Sequence, residues 1–312
     1  MEPIFKRKKE RNSIGIAMHV SMVTIVINLL LSVFKLTAGI LANSGAMISD
    51  AVHSASDVLS TVVVMIGVNI AGKKSDKEHP YGHDRMECVA AIILSAMLMA
   101  TGIAIGINGV KKIAAGNGEG AVIPGLLALF AAVLSIAVKE WMYWYTRAAA
   151  KKINSAAVMA DAWHHRSDAL SSVGAMIGIA GARLGYPVLD PVASVVICLF
   201  IGKAAVDVFR DAMDKMVDKA CDDETIQKMK ESALAVMGVK QIDDIRTRMF
   251  GAKVYVDIEI AAKGNLFLVD SHEIAENVHL SIEKHFPDVK HCMVHVNPLP
   301  EPEDQENDRE CL

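Results

Sequence analysis

Two segments of this 312-residue chain carry the same pattern of ionisable residues. Asp50, His53 and Asp57 recur as Asp161, His164 and Asp168, at intervals of three and four that put each set on one stripe of a helix. An imidazole nitrogen and a carboxylate oxygen one turn apart form half of a metal site. Together the copies offer His53, Asp57, His164 and Asp168, with the donor number of a closed tetrahedral centre. Zinc fits that set best, although imidazole also suits iron, nickel and copper, and carboxylate suits manganese. Asp50 and Asp161, one turn earlier, are placed to accept hydrogen bonds from the ligating histidines and fix their orientation. His165 and Arg166 point off that face at about 100° per residue. His165 is expected to pack or hydrogen-bond, and Arg166 calls for a carboxylate or a water-filled cavity.

The elements that must position these residues read as membrane spans. A charge near the centre of a span costs about 2.5–3.5 kcal/mol on insertion scales, so ionisable residues there point to a functional site. Residues 49–68 laid over 160–179 match at eleven of twenty positions without gaps, the shared polar residues included. They belong to the second and fifth of six apolar runs, at 14–40, 45–71, 88–110, 121–145, 156–182 and a last one ending near 208. Three crossings apart, the two copies run in opposite directions, the arrangement of an inverted-repeat transporter with its site near the midplane. Basic residues precede the first run and fill the loops after the second, fourth and sixth, which places both termini in the cytoplasm; the expected location is the cytoplasmic (inner) membrane. No A-x-A site ends the first run, so it reads as a retained span and not a signal peptide. His19 within it is expected to be a satisfied polar group on an inner face.

Hydropathy collapses after residue 211. A helix at 222–236, strands at 242–250 and 253–261 joined through Gly251, a helix at 269–286 and a strand at 289–296 give the order αββαβ, which suits a small two-layer α+β domain. The expected organisation is a six-helix transmembrane domain over 1–211, a linker at 212–221, a soluble domain over 222–299 and a disordered acidic tail at 300–312, with the proline-rich stretch beginning at Pro298. A hydrophobic content of 52% and a mean hydropathy of +0.32 agree with a membrane part plus a soluble part. The net charge of −4 divides into an early basic and a late acidic half, which argues against nucleic acid as a partner. Five scattered cysteines without a CxxC pair imply neither a disulfide framework nor a thiolate cluster. HExxH is absent, so the chain reads as no metalloenzyme and needs no cofactor; a metal would be its substrate and a regulatory ligand.

Two further groups have metal-ligand chemistry. Asp76, His79 and His83, in the loop after the second run, offer one oxygen and two nitrogens with a position left open. In the soluble domain, His272 and His295, joined by Asp243 and Glu259, are candidates for a binuclear regulatory site, whereas His279, His285 and His291 read as surface residues.

With the two DAxHxxxD segments, HPYGHDRME at 79–87 and IDDIRTRMFG at 242–251, the chain resembles the cation diffusion facilitator family of proton-coupled divalent-metal exporters over nearly its whole length. The resemblance implies a homodimer in the lipid bilayer, six spans per subunit, and a ferredoxin-like αββαβ cytoplasmic domain that binds metal and tightens the dimer. It puts His53, Asp57, His164 and Asp168 on the transport site and Asp76, His79 and His83 on the loop site. It puts Asp243, Glu259, His272 and His295 on or near positions that bridge two metals, where some members have histidines for the two acids and an aspartate for Asn297. Arg85 and Asp218 match a charge pair that holds the dimer together at the membrane surface, and His53 resembles the zinc-preferring members. The expected function is export of divalent cations, zinc preferred, in exchange for protons. The alternatives are iron, manganese, cadmium or cobalt on the same fold, or a metal sensor that does not transport.

Overall fold

The structure, a computed structural model, describes residues 4–41, 45–114, 126–183 and 189–299. The chain divides into two compact units, Met1–Met213 and Asp214–Leu312. The first is built from the long helices α1 (Ile4–Leu41), α2 (Gly45–Ala71), α3 (Met86–Ala114), α4 (Leu126–Ile153), α5 (Ala156–Arg183) and α6 (Leu189–Met216), the last of which crosses the division. Two stretches, Asn12–Ala38 and Met86–Lys111, are apolar and long enough to cross a membrane by length and composition. The remaining helices interrupt their apolar runs with charged residues such as Asp57, Lys139, Asp168 and Lys203.

The first unit buries polar side chains among apolar ones and turns many large apolar side chains outward. On α1 the buried stripe contains Ser21, Thr24, Asn28 and Lys35, while Met22, Val26, Leu29, Leu30, Val33 and Ile40 face outward. Both stripes advance by three and four residues, so the helical period sets which residues face the bundle. This is the pattern expected of a bundle solvated by hydrocarbon, where polar groups find partners only among neighbouring helices. His19 does not follow the expectation of an inner face, since its side chain is exposed.

Helices α1 and α2 pack together, as do α4 and α5; α1 also meets α4, and both α2 and α5 pack on α3 and on each other. The α4–α5 pairing follows from a very short connection. Asn154 turns out of α4 at φ 54° and Ser155 caps α5, its Oγ accepting from Val158 N–H at 3.2 Å. Small residues allow the closest approaches. A Cβ added to Gly67 of α2 would collide with Ala90 of α3, and one added to Gly106 of α3 would lie 2.5 Å from Cys198 Sγ of α6. Gly102 and Gly106 form a GxxxG step against Cys198 and Ile201, the spacing that brings membrane helices into backbone proximity.

The second unit contains α7 (Asp223–Leu234), β1 (Gln241–Phe250), β2 (Lys253–Lys263), α8 (Leu268–His285) and β3 (Val289–Leu299), in the αββαβ order expected. Asp222 caps α7, accepting from Thr225 N–H at 2.8 Å. Gly251, at φ 64°, turns β1 into an antiparallel β2, and β3 returns parallel to β2 through α8, giving the sheet order β1-β2-β3. Val256, Ile258 and Ile260 of β2, with Cys292 of β3, pack against Met229 and Ala233 of α7 and Val278 and Ile282 of α8. Strand alternation then turns Asp257, Glu259, His291 and His295 to the other side of the sheet.

The element ends differ from expectation in several places. α4 runs on to Ile153 instead of ending near residue 145, α6 reaches Met216 through half of the expected linker, and β3 includes Pro298 and Leu299. In each case a polar or proline-bearing stretch continues the element because backbone pairing does not depend on hydropathy. Pro298 sits at the end of an edge strand, where proline is tolerated. The expected tail at 300–312 lies outside the described residues. Among the described residues, Cys88, Cys198, Cys221 and Cys292 are joined in no disulfide.

Candidate metal centre

Asp57 of α2 and His164 and Asp168 of α5 meet inside the first unit, each offering a ligand atom within 4.8 Å of the others. All three are buried. His164 Nε2 lies 3.6 Å from Asp57 Oδ1. A tetrahedral ion with bonds of about 2.1 Å spaces its ligands about 3.4 Å apart, so small side-chain motions would close this set on a metal. The fourth expected ligand, His53, and its neighbour Asp50 lie on α2 with side chains outside the described residues.

A residue that the sequence pattern did not single out completes this centre. Lys139 of α4 is 2% exposed and donates to Asp57 Oδ2 at 2.6 Å and to Asp168 Oδ2 at 3.0 Å. Its ammonium joins the carboxylates of α2 and α5 from a third helix. A second buried lysine, Lys35 of α1, donates to Ser54 Oγ at 2.9 Å, within the α2 motif. Lys35 could have been found as a lone cation inside an apolar run, which is costly enough to demand a partner.

The supporting residues behave differently from one another. Asp161 Oδ1 accepts from Thr61 Oγ1 at 3.2 Å, and its Oδ2 lies 3.6 Å from His165 Nε2, so the aspartate expected behind His164 also faces the adjacent histidine. His165 is fully buried beside it, and neither of its nitrogens makes a hydrogen bond among the described residues. Arg166 stacks its guanidinium over Tyr143 at 4.4 Å and lies 5.6 Å from the Trp163 ring. It also lines a cavity of about 400 Å³ with Lys203 and Asp207 of α6. The expectation of a carboxylate or a cavity for Arg166 thus meets a cavity wall and an aromatic face.

The loop before α3 gathers its three expected residues. His79 Nδ1 and His83 Nε2 lie 3.4 and 3.5 Å from the two oxygens of Asp76. The turn is held by the backbone: Asp76 Oδ1 accepts from His79 N–H at 2.7 Å and Glu78 N–H at 3.0 Å, and Gly82, at φ 94°, donates to His79 O at 3.0 Å. The His79 N–H hydrogen bond holds the Asp76 carboxyl below the usual carboxylate range. Arg85 ends this loop, and Asp218 belongs to the second unit at φ 62°.

In the second unit the four expected ligands do not form a cluster within one chain. Glu259 and His295 are register partners on β2 and β3. Asp243 occupies a bulge in β1, where its carboxylate accepts from Gln241 Nε2 and Asn297 Nδ2, both at 2.7 Å, and the Asn297 bond lowers its pKa. His272 is exposed on α8, the helix that covers the opposite side of the sheet.

Comparison with known proteins matches both units. Residues 21–217 fit the family described as cation efflux transmembrane domain, and residues 221–299 fit that described as cation efflux protein, cytoplasmic domain. The chain is 35% identical over 280 residues to metal tolerance protein C1 of Arabidopsis thaliana, covering 86% of this chain but 59% of that protein, less than two thirds of its length. It is 34% identical over 278 residues to the uncharacterized transporter YdbO of Bacillus subtilis (89% of this chain, 94% of that one). It is 31% identical over 290 residues to the manganese efflux system protein MneP of Bacillus subtilis (91% and 96%).

Proposed function

Because the chain belongs to the cation efflux family of membrane proteins, also called cation diffusion facilitators, we propose that it exports divalent metal cations from the cytoplasm through the centre of Asp57, His164 and Asp168, with His53 as fourth ligand. The observation that carries this reading is the burial of two carboxylates and an imidazole from α2 and α5 at ligand distance. Metal binding needs neutral imidazole and ionised carboxylate, so loading releases protons and protonation on the far side releases the metal. Export is therefore written as exchange for protons. Helices α2 and α5 carry the two antiparallel copies and would rock together about the site. Six spans, both termini in the cytoplasm and a homodimer joined in part by Arg85 and Asp218 complete the proposal.

Zinc is the preferred cargo on the donor set of two imidazoles and two carboxylates. Manganese is the second reading, supported by the relative named for manganese efflux and by the affinity of carboxylate for that ion. Proteoliposomes under an imposed pH gradient, offered zinc, iron, cadmium, cobalt and manganese in turn, test both. Zinc flux should exceed the others and fall to the leak in Asp168→Ala. Flux no faster than leak for every metal removes the transport reading, and manganese moving as fast as zinc removes the preference.

A further inference from the structure

We propose that Lys139 is a tethered substitute cation: its ammonium occupies the carboxylate pair between metal loads, and a metal enters only by displacing it. The inference rests on the reading of Asp57 and Asp168 as metal ligands and adds a residue from a helix that carries neither copy of the repeat.

The geometry sets the two cations in competition. Lys139 Nζ lies 2.6 Å from Asp57 Oδ2 and 3.0 Å from Asp168 Oδ2, on the same two carboxylates that would bind a metal at about 2.0–2.2 Å. An ion seated there would stand within a few ångströms of the ammonium, and the three side chains are only 2%, 2% and 6% exposed, so little water screens the repulsion. An empty centre without the lysine would instead leave two carboxylates facing each other across α2 and α5. The ammonium joins those helices as a metal would.

Lysine suits this exchange. Its charge sits on a flexible four-carbon stem and it does not bind carboxylates through a rigid fork, so it can leave and return. Ser135, one turn earlier on the same helix, is buried with its Oγ making no hydrogen bond among the described residues. Side chains on a helix lean toward its N-terminus, so Ser135 is an acceptor within reach of the displaced ammonium. A site whose competent state is only fractionally populated binds with an affinity reduced by that fraction. Lys139 thus weakens metal binding and speeds release, two effects that favour turnover over retention.

The test is equilibrium zinc binding to the full chain in detergent, with the transport centre identified as the binding step lost in Asp57→Asn. Lys139→Met and Lys139→Gln should each bind at this step about tenfold more tightly than the unaltered chain, because the competitor is gone. Lys139→Arg keeps the charge and should not tighten it. In vesicles the two neutral variants should lower KM and Vmax together, a pattern that loss of folding does not produce. If Lys139→Met does not fold, Lys139→Gln, which retains hydrogen-bonding capacity, decides the matter. Unchanged or weaker binding in a folded neutral variant overturns the inference alone, as does equal tightening in Lys139→Arg. Absence of any step lost in Asp57→Asn overturns the metal-ligand reading and this inference with it.

Discussion

The charge of Asp76 is fixed by backbone geometry, and this determines how the loop cluster responds to pH. Two N–H groups hold the carboxylate, and its pKa lies below the ordinary value. The sign follows directly: a depressed carboxyl stays ionised until the pH falls below the ordinary carboxylate range, so Asp76 is charged wherever imidazoles titrate. Asp76 is therefore not the group at which protons compete for the loop metal. Zinc binding by this loop, measured in an Asp57→Asn background to silence the transport centre, should weaken steadily from pH 7 to pH 5. Asp76→Asn should lower the affinity at every pH; unchanged affinity would show that the acid is not a ligand. At this scale the ligand candidates Asp57, His164 and Asp168 were legible from helical spacing, and Asp76, His79 and His83 from proximity in sequence. Lys139 was not legible, for a physical reason. With α4 expected to end near residue 145, Lys139 sits about six residues from the end of its span, where a lysine reaches polar headgroups at little cost. Because α4 continues to Ile153, Lys139 lies fourteen residues, or about 21 Å, from the helix end.

The elements were readable wherever hydropathy and turn residues changed together. The strand pair around Gly251 and the helix after Asp222 follow rules that act within a few residues, and both appear as expected. What hydropathy does not encode is how closely two helices approach. Gly67 resembles other small residues in the sequence, yet a Cβ there would overlap Ala90, so this glycine sets the distance between α2 and α3. Asp57 lies ten residues earlier on the same rigid helix, about 15 Å away. Gly67→Ala should push α2 from α3 and cost roughly 1–3 kcal/mol, as overpacking does. It should lower the melting temperature of the detergent-solubilised protein, and Gly67→Ala with Ala90→Gly should recover most of the loss. If the single variant melts normally, or the pair melts lower still, contact with Ala90 does not set the helix spacing.

For the whole molecule, the four residues of the expected regulatory site have to be reconciled with a single chain that does not gather them. Glu259 and His295 share the exposed side of the sheet, and Asp243 is engaged by Gln241 and Asn297, while His272 stands on the helix that covers the other side. Spacing in sequence could not reveal this, because β3 pairs with β2 only after the chain has crossed the sheet through α8. Within one subunit His272 stands on the helix packed over one side of the sheet, while Glu259 and His295 face the other, so we propose that a metal using both draws His272 from a second copy. The second unit matches a cation efflux cytoplasmic domain, which fits metal-dependent closure of a dimer as a way to favour the transporting state, provided the metal binds the closed form more tightly. Subunit exchange between two differently labelled pools of the full chain measures that closure. Zinc should slow exchange about tenfold, corresponding to about 1.4 kcal/mol of added interface free energy, and His272→Ala should remove the effect of zinc while leaving exchange in its absence unchanged. Exchange equally slow in His272→Ala with zinc would place the bridging ligands elsewhere. If zinc does not change exchange of the unaltered chain, metal does not control the dimer, and the second unit contributes association alone.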